Sequence, residues 1–244
     1  MGAVANLFPA ITEADWRNAA EAALQGASLE SLVSQTADGV RIEPVYPPAE
    51  GPRATRPGGP WRIIARLDHP HADEANAQAL DDLANGADGL QVVFSGALAA
   101  YGFGLRRFDS ASLHKAFDRV LFDAGANFEL DLGPDGPDQA LHFGALIERS
   151  GAKPEDCSVS FGLDPFAASA RGPFPADWSA QARRCVETAL ELRSKGFRGP
   201  FLVADARAVH SAGGSPAQEL AFALAAAVVS CGRCATCRRW AAPP

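Results

Sequence analysis

The sequence predicts an α/β fold built on a parallel sheet, and three observations carry that expectation. Short apolar and β-branched runs alternate with helix-periodic stretches from residue 61 onward. Each strand-plus-helix unit occupies roughly 30 to 40 residues, the length a right-handed crossover between parallel strands needs. Five such units follow one another. A doubly wound sheet and part of a (β/α)8 barrel both satisfy this pattern. The second option, a parallel TIM-type (β/α)8 barrel behind an N-terminal helical arm, would be incomplete, since about five β–α units cannot close eight strands.

The arm comes first. Thr12 precedes a helix over residues 13–26, with Glu13 and Asp15 in its first turn and Gly26 at its end. Residues 28–35 read as a short second helix opened by Ser28. Asp38 and Gly39 turn the chain into a short strand over 40–46. The Pro- and Gly-rich stretch 47–60 reads as an extended linker. The domain division is therefore an arm and linker over 1–60, a partial barrel over 61–229 and an atypical Cys-rich tail over 230–244.

Within the barrel part, the strands are expected at 61–67, 89–94, 127–133, 158–165 and 200–206. Helices are expected at 72–86, 110–125, 137–151, 176–196 and 215–230. In the fourth strand, Ser158, Ser160 and Gly162 share one face, and Val159 and Phe161 share the other. The bulky face packs on helices. The small face either lines a hollow axis that admits a narrow ligand, or meets solvent or another small-residue layer.

Composition excludes several classes. A hydrophobic fraction of 47% with 21% charged residues is ordinary for a globular chain. No apolar run approaches the roughly 20 residues that span a bilayer. The first residues lack the basic start and apolar core of a secretory signal. A net charge of −7 with no Lys/Arg stripe argues against nucleic acid as partner. The odd count of 5 cysteines in a long chain is not a disulfide framework, and a cytoplasmic location is expected.

The densest polar cluster follows the fifth strand. Asp205, Arg207 and His210 precede Gly213 and Gly214, and a helix opens near Ser215. Ligands of parallel α/β folds bind at the C-terminal ends of strands. There His210 can meet a carbonyl or carry a proton, and the glycines allow close backbone approach. The plainer alternative is a loop histidine that caps local structure.

This cluster also carries a resemblance. Asp205, Arg207, His210, Ala212, Gly213, Ser215 and the run Gln218, Glu219, Leu220, Ala221, Phe222, with Leu224 and Ala225, resemble the methylmalonyl-CoA mutase family, in its small (beta) subunit form. Residues 38–48, 61–90 and 161–165 are similar to other segments of that subunit, and the match covers most of residues 8–229. The resemblance implies an α/β fold of the parallel TIM-type (β/α)8 barrel, incomplete at about five β–α units behind the N-terminal helical arm, and a cobalamin-linked isomerase that interconverts methylmalonyl-CoA and succinyl-CoA. It implies a large catalytic subunit as partner, adenosylcobalamin in the complex, and a CoA ester threaded along a barrel lined by small polar residues. His210 stands where catalytic members bind the thioester carbonyl. Ser158, Ser160, Asp205, Arg207, Gly213 and Gln218 are the implied substrate-binding residues. The catalytic subunit's Arg-Gln-Tyr-Ala-Gly run is replaced around Ile64 to Asp68, so its tyrosine is missing. There is no Gln-Asn-Asp-x-Leu-Lys-Glu segment and no Asp-x-His-x-x-Gly cobalamin loop, since Ala208 holds the Asp position before His210. The implied role is that of a supporting chain, inactive alone. An assembly protein without ligand, or a free-standing barrel lyase using His210, are the alternatives.

Two other motifs invite metal readings. His69 and His71 lie beside Asp68, Asp73 and Glu74, but a solvated loop capping the next helix is the preferred reading. Cys231, Cys234 and Cys237 form a Cys-x-x-Cys-x-x-Cys run without a nearby fourth ligand. Loss of one base from GC-rich codons for the family's Tyr-Leu-Arg-Ala-Leu would give the Ser-Cys-Gly-Arg-Cys of residues 230–234. The tail is therefore expected to be a frameshifted end of a truncated gene, with the remaining barrel units and any cobalamin-binding domain absent, and no metal site is expected.

Overall fold

The computed structural model describes residues 11–47, 51, 59–166 and 178–233. The chain divides into two compact units, Met1–Pro57 and Gly58–Pro244.

The first unit is organised by local polar bonds. Helix α1 (Glu13–Leu24) starts at a reciprocal cap: the Asp15 amide donates to Thr12 Oγ1 and the Thr12 amide donates to Asp15 Oδ2 at 2.9 Å. Donation from the Thr12 hydroxyl to Asp15 Oδ2, and then from the Thr12 amide, holds the Asp15 carboxyl below its usual range. The predicted second helix shrinks to a single 3-10 turn at Leu29–Leu32. Ser34–Gln35 (β1) instead pairs antiparallel with Arg41–Ile42 (β2), because Thr36 turns the chain back by accepting from the Val40 amide. Arg41 closes the unit by donating to Glu30 and Glu43. No described residue of this unit is buried.

The second unit holds a four-stranded parallel sheet in sequence order: β3 (Ile64–Leu67), β4 (Gly89–Val93), β5 (Asn127–Asp131) and β6 (Ser158–Ser160). Its helices are α2 (Ala72–Ala84), α3 (Ser110–Ala116), α4 (Gly136–Ser150), α5 (Trp178–Ser194), α6 (Arg207–Ser211) and α7 (Pro216–Arg233). This is a mixed α/β architecture consistent with an incomplete α/β barrel.

Register separates the two faces of the sheet. Ala65, Leu90, Phe128 and Val159 align in one row, and Leu67, Val92 and Leu130 in the next. These residues belong to the main core, where Phe143 of α4 meets Phe117, Phe122 and Phe128. The opposite face carries the row Arg66, Gln91, Glu129, Ser160.

Two expected elements are shortened. The helix predicted over 110–125 stops at Ala116, and Arg119 takes a left-handed φ of 62°. Phe117, Val120 and Phe122 are all buried, and no single helical face presents positions three and then two apart, so core packing overrides the helical pattern. The fifth strand contracts to one bridge, Leu163 with Leu202. Its hydrogen bonds are Phe161 N–H to Pro200 O, Leu163 N–H to Phe201 O and Val203 N–H to Leu163 O, at 2.9, 3.0 and 3.0 Å. Pairing cannot extend backward through Pro200, which has no N–H. Forward, Asp205 Oδ1 accepts from the Arg207 amide at 2.8 Å and turns the chain into α6.

Candidate functional site

The polar cluster lies where β5 and the residue-202 bridge end. Arg207, the first residue of α6, reaches back to the last residue of β5. Its Nη1 and Nη2 donate to the two Asp131 oxygens at 2.8 and 2.9 Å, and its Nε donates to Asp205 at 2.7 Å. The Asp131 side chain is 4% exposed and that of Asp205 11%. Hydrogen bonds to Asp131 and then Asp205 push the guanidinium pKa above its ordinary range, so Arg207 is a fixed cation. Its fork is committed to protein carboxylates.

The loop after α6 shows what each glycine does. Gly213 has a φ of +84° and its amide donates to the His210 carbonyl at 2.9 Å, which closes the helix in the left-handed region. Gly214 is the close-approach position: a Cβ there would lie 2.4 Å from Val209 Cγ1. Ser215 and Gln218 cap α7 reciprocally. The Ser215 amide donates to Gln218 Oε1 at 2.9 Å, and the Gln218 amide donates to Ser215 Oγ at 3.3 Å. His210 pairs through Nδ1 with Glu219 Oε1 at 2.8 Å, and its side chain remains 74% exposed.

The serines of β6 are placed differently. Ser158 aligns with Asn127, four residues before Asp131, so it lies about 13 Å away toward the other end of the sheet. Its hydroxyl donates to Asn127 Oδ1 at 2.8 Å, as does Arg62 Nη1. Ser160 stands beside Glu129 in the polar row. The structure thus brings Asp205, Arg207, His210, Gly213 and Gln218 into one segment and leaves Ser158 at the far end. It adds Asp131 and Glu219, to which the sequence reading assigned no role. A carboxylate at a strand's C-terminal end was the available signal for Asp131; Glu219 lay in the recognised run without a stated partner.

The remaining candidates are engaged elsewhere. His71 precedes α2 and its amide donates to His69 Nδ1 at 3.3 Å, while Asp73 pairs with Lys115. Among the described residues no group of three or more His, Cys, Asp or Glu side chains could hold a metal ion. No helix among them is long and apolar enough to cross a membrane. The Cys-rich run lies outside the described residues from Cys234 onward. Cys185 and Cys157 are buried; burial, and then nearby carboxylates, push their thiols up to about 12 and about 11.

No family model matches the chain. Two curated proteins do. The methylmalonyl-CoA mutase small subunit of Streptomyces virginiae is 28% identical over a match that covers 91% of this chain and 38% of that protein. The methylmalonyl-CoA mutase small subunit of Porphyromonas gingivalis is 29% identical over a match that covers 89% of this chain and 36% of that protein. The chain is similar to methylmalonyl-CoA mutase small subunits across about nine-tenths of its length. It spans little more than a third of the length of the curated relatives it matches.

Proposed function

We propose that this chain acts as a methylmalonyl-CoA mutase small-subunit-like protein, supporting a large catalytic subunit in the interconversion of methylmalonyl-CoA and succinyl-CoA without turning over substrate itself. The observation that carries the reading is the match to two small subunits across about nine-tenths of the chain. The polar sheet row Arg66, Gln91, Glu129, Ser160 supports a CoA-ester surface, because a parallel sheet is ordinarily apolar on both faces. In this reading His210 meets the thioester carbonyl from its exposed side. Ser158, Ser160 and Gly213 lie along the ester's path, and Asp205, Arg207 and Gln218 hold the loop that presents His210.

Adenosylcobalamin, which the family's chemistry implies, does not fit the residues described. The cavity lined by Leu132, Gly133, Leu163, Asp164, Gln181 and Cys185 is about 30 Å³, and a neighbouring one beside Val229 and Ser230 about 10 Å³. Both are water-sized. The helix carrying His210 is pinned to β5 by Arg207, with Ala208 where the cobalamin loop has its Asp. In this proposal the cofactor is held by the partner.

A second reading, an assembly protein without ligand, is favoured by one observation: the first unit buries none of its described residues, although Ile11, Val40 and Tyr46 are 60 to 74% exposed. The test is a titration of the purified chain with methylmalonyl-CoA, alone and mixed with a large catalytic subunit. The proposal expects ester binding, a stable complex with the large subunit, and no conversion by the chain alone when adenosylcobalamin is added. Conversion by the chain alone overturns the supporting role, and complex formation without ester binding favours the assembly reading.

A further inference from the structure

His210 Nδ1 lies 2.8 Å from a carboxylate oxygen of Glu219. An ionised carboxylate only accepts hydrogen bonds, so Nδ1 must carry the proton. The other nitrogen of a neutral imidazole is then an acceptor. The His210 side chain is 74% exposed, whereas Glu219, in the first turn of α7, is 30% exposed. The neighbouring cation of this segment, Arg207, is already paired with Asp131 and Asp205. Glu219 is therefore the charge that reaches the ring. It is also well placed to hold still, because the reciprocal Ser215–Gln218 cap fixes the turn it sits on.

We propose that Glu219 is the positioning residue of His210: it accepts the Nδ1–H hydrogen bond, so that neutral His210 offers Nε2 outward as an acceptor and only the imidazolium donates to a carbonyl. This rests on the reading above, in which His210 meets a thioester, and it deepens it. A thioester oxygen accepts and cannot donate. Binding it through His210 therefore requires the ring to take up a proton, with Glu219 as the counter-charge. Without Glu219, a neutral ring turned to its Nε2–H form could bind the same carbonyl with no proton uptake. The device makes carbonyl recognition conditional on protonation.

Nitrogen-15 NMR of the full chain labelled at histidine tests this, at a pH of about 8.5, where an unperturbed imidazole is neutral. Two other rings serve as references: His142 Nδ1 meets the Asp138 carbonyl at 2.8 Å, and His69 Nδ1 accepts from the His71 amide. They should show Nδ1–H and Nε2–H forms respectively. His210, assigned by loss of its signals in His210→Gln, should show the Nδ1–H form. Glu219→Gln should keep it, because an amide oxygen still accepts, and Glu219→Ala should shift the ring to a majority of Nε2–H with the His142 and His69 signals unmoved. An Nε2–H ring in the wild type, or an Nδ1–H ring that survives Glu219→Ala, overturns the assignment. Disturbed His142 signals in Glu219→Ala would mark misfolding, and Glu219→Met, which keeps the side-chain length without an acceptor oxygen, then decides by the same readout. Adding methylmalonyl-CoA to the wild type should protonate Nε2. If the Nδ1–H form stands but the ester leaves Nε2 unchanged, the positioning role holds and the carbonyl reading fails.

Discussion

The four-stranded sheet and the segment from Val203 to Arg233 belong to one unit but are held together by different physics. The sheet is secured by apolar burial: Phe94, Phe128, Phe143 and Phe161 are at most 1% exposed. Among its described residues the α6–α7 segment buries a single apolar side chain, Ala226, and Leu220, Leu224 and Val228 are exposed. It is fixed by polar links instead: Arg207 to Asp131, His210 to Glu219, Ser215 to Gln218. Apolar burial is insensitive to single polar changes and costly to cut. Polar pins are cheap to cut and set geometry sharply. The candidate site sits on the second kind of scaffold, so its orientation can be altered without unfolding the first.

The largest expected effect falls on the sheet side. Phe143→Ala removes the ring that meets three other phenylalanines. The expected loss is about 3–5 kcal/mol in urea unfolding. A loss below about 1 kcal/mol would erase the contrast between the regions.

Asp131→Asn should come next. It leaves the Arg207 guanidinium without its bidentate acceptor, and the loss expected is about 1–3 kcal/mol, toward the lower figure because Arg207 is 43% exposed. The sharper readout is local. Amide exchange should accelerate across α6 while α4 keeps its protection. Equal acceleration in both helices would show that the two regions unfold as one.

Alkaline pH probes the junction at Cys185, which packs in the main core. Its folded thiol is raised from 9.0 to about 12, chiefly by burial. The sign follows from linkage: the unfolded thiol ionises first, so stability is full below about 9 and is lost as pH rises toward about 12. The loss near pH 10 should be of order 1 kcal/mol, and Cys185→Ser should flatten that part of the stability profile. Iodoacetamide at neutral pH should leave Cys157 and Cys185 unmodified in the native chain, as read by mass spectrometry; rapid labelling of either would contradict its burial.

The smallest effect is expected at the α7 cap. Ser215→Ala removes the oxygen that accepts from the Gln218 amide and should cost about 1 kcal/mol or less. If this substitution also releases the His210 ring from Glu219, the cap and the pair form a single unit; an unmoved ring separates them.

Much of this was legible from local pattern. The starts of α1 and α7 rest on residues a few positions apart, and the core side of β6 rests on period-two alternation, so Thr12, Asp15, Ser215 and Val159 could be placed from the chain alone. The helix over 110–125 could not, because its end depends on Phe117 and Phe122 reaching Phe128 and Phe143, which arrive from other elements. The small polar face read from Ser158 and Ser160 changes character once register sets Glu129, Gln91 and Arg66 beside Ser160.

By itself the sequence determined the α/β alternation, the parallel order of the strands, the His210 segment as the candidate site and the likeness to mutase small subunits. These depend on local periodicity and on motif spacing, which the chain carries in one dimension. Only the tertiary structure decided that Arg207 answers Asp131, 76 residues away, that Glu219 takes the Nδ1 side of His210, and that the fifth strand stops at a single bridge. Those outcomes depend on which side chains meet across the fold. A guanidinium is equally able to bind a ligand phosphate or a carboxylate of its own chain, and in this fold the strand end that carries Asp131 supplies the partner.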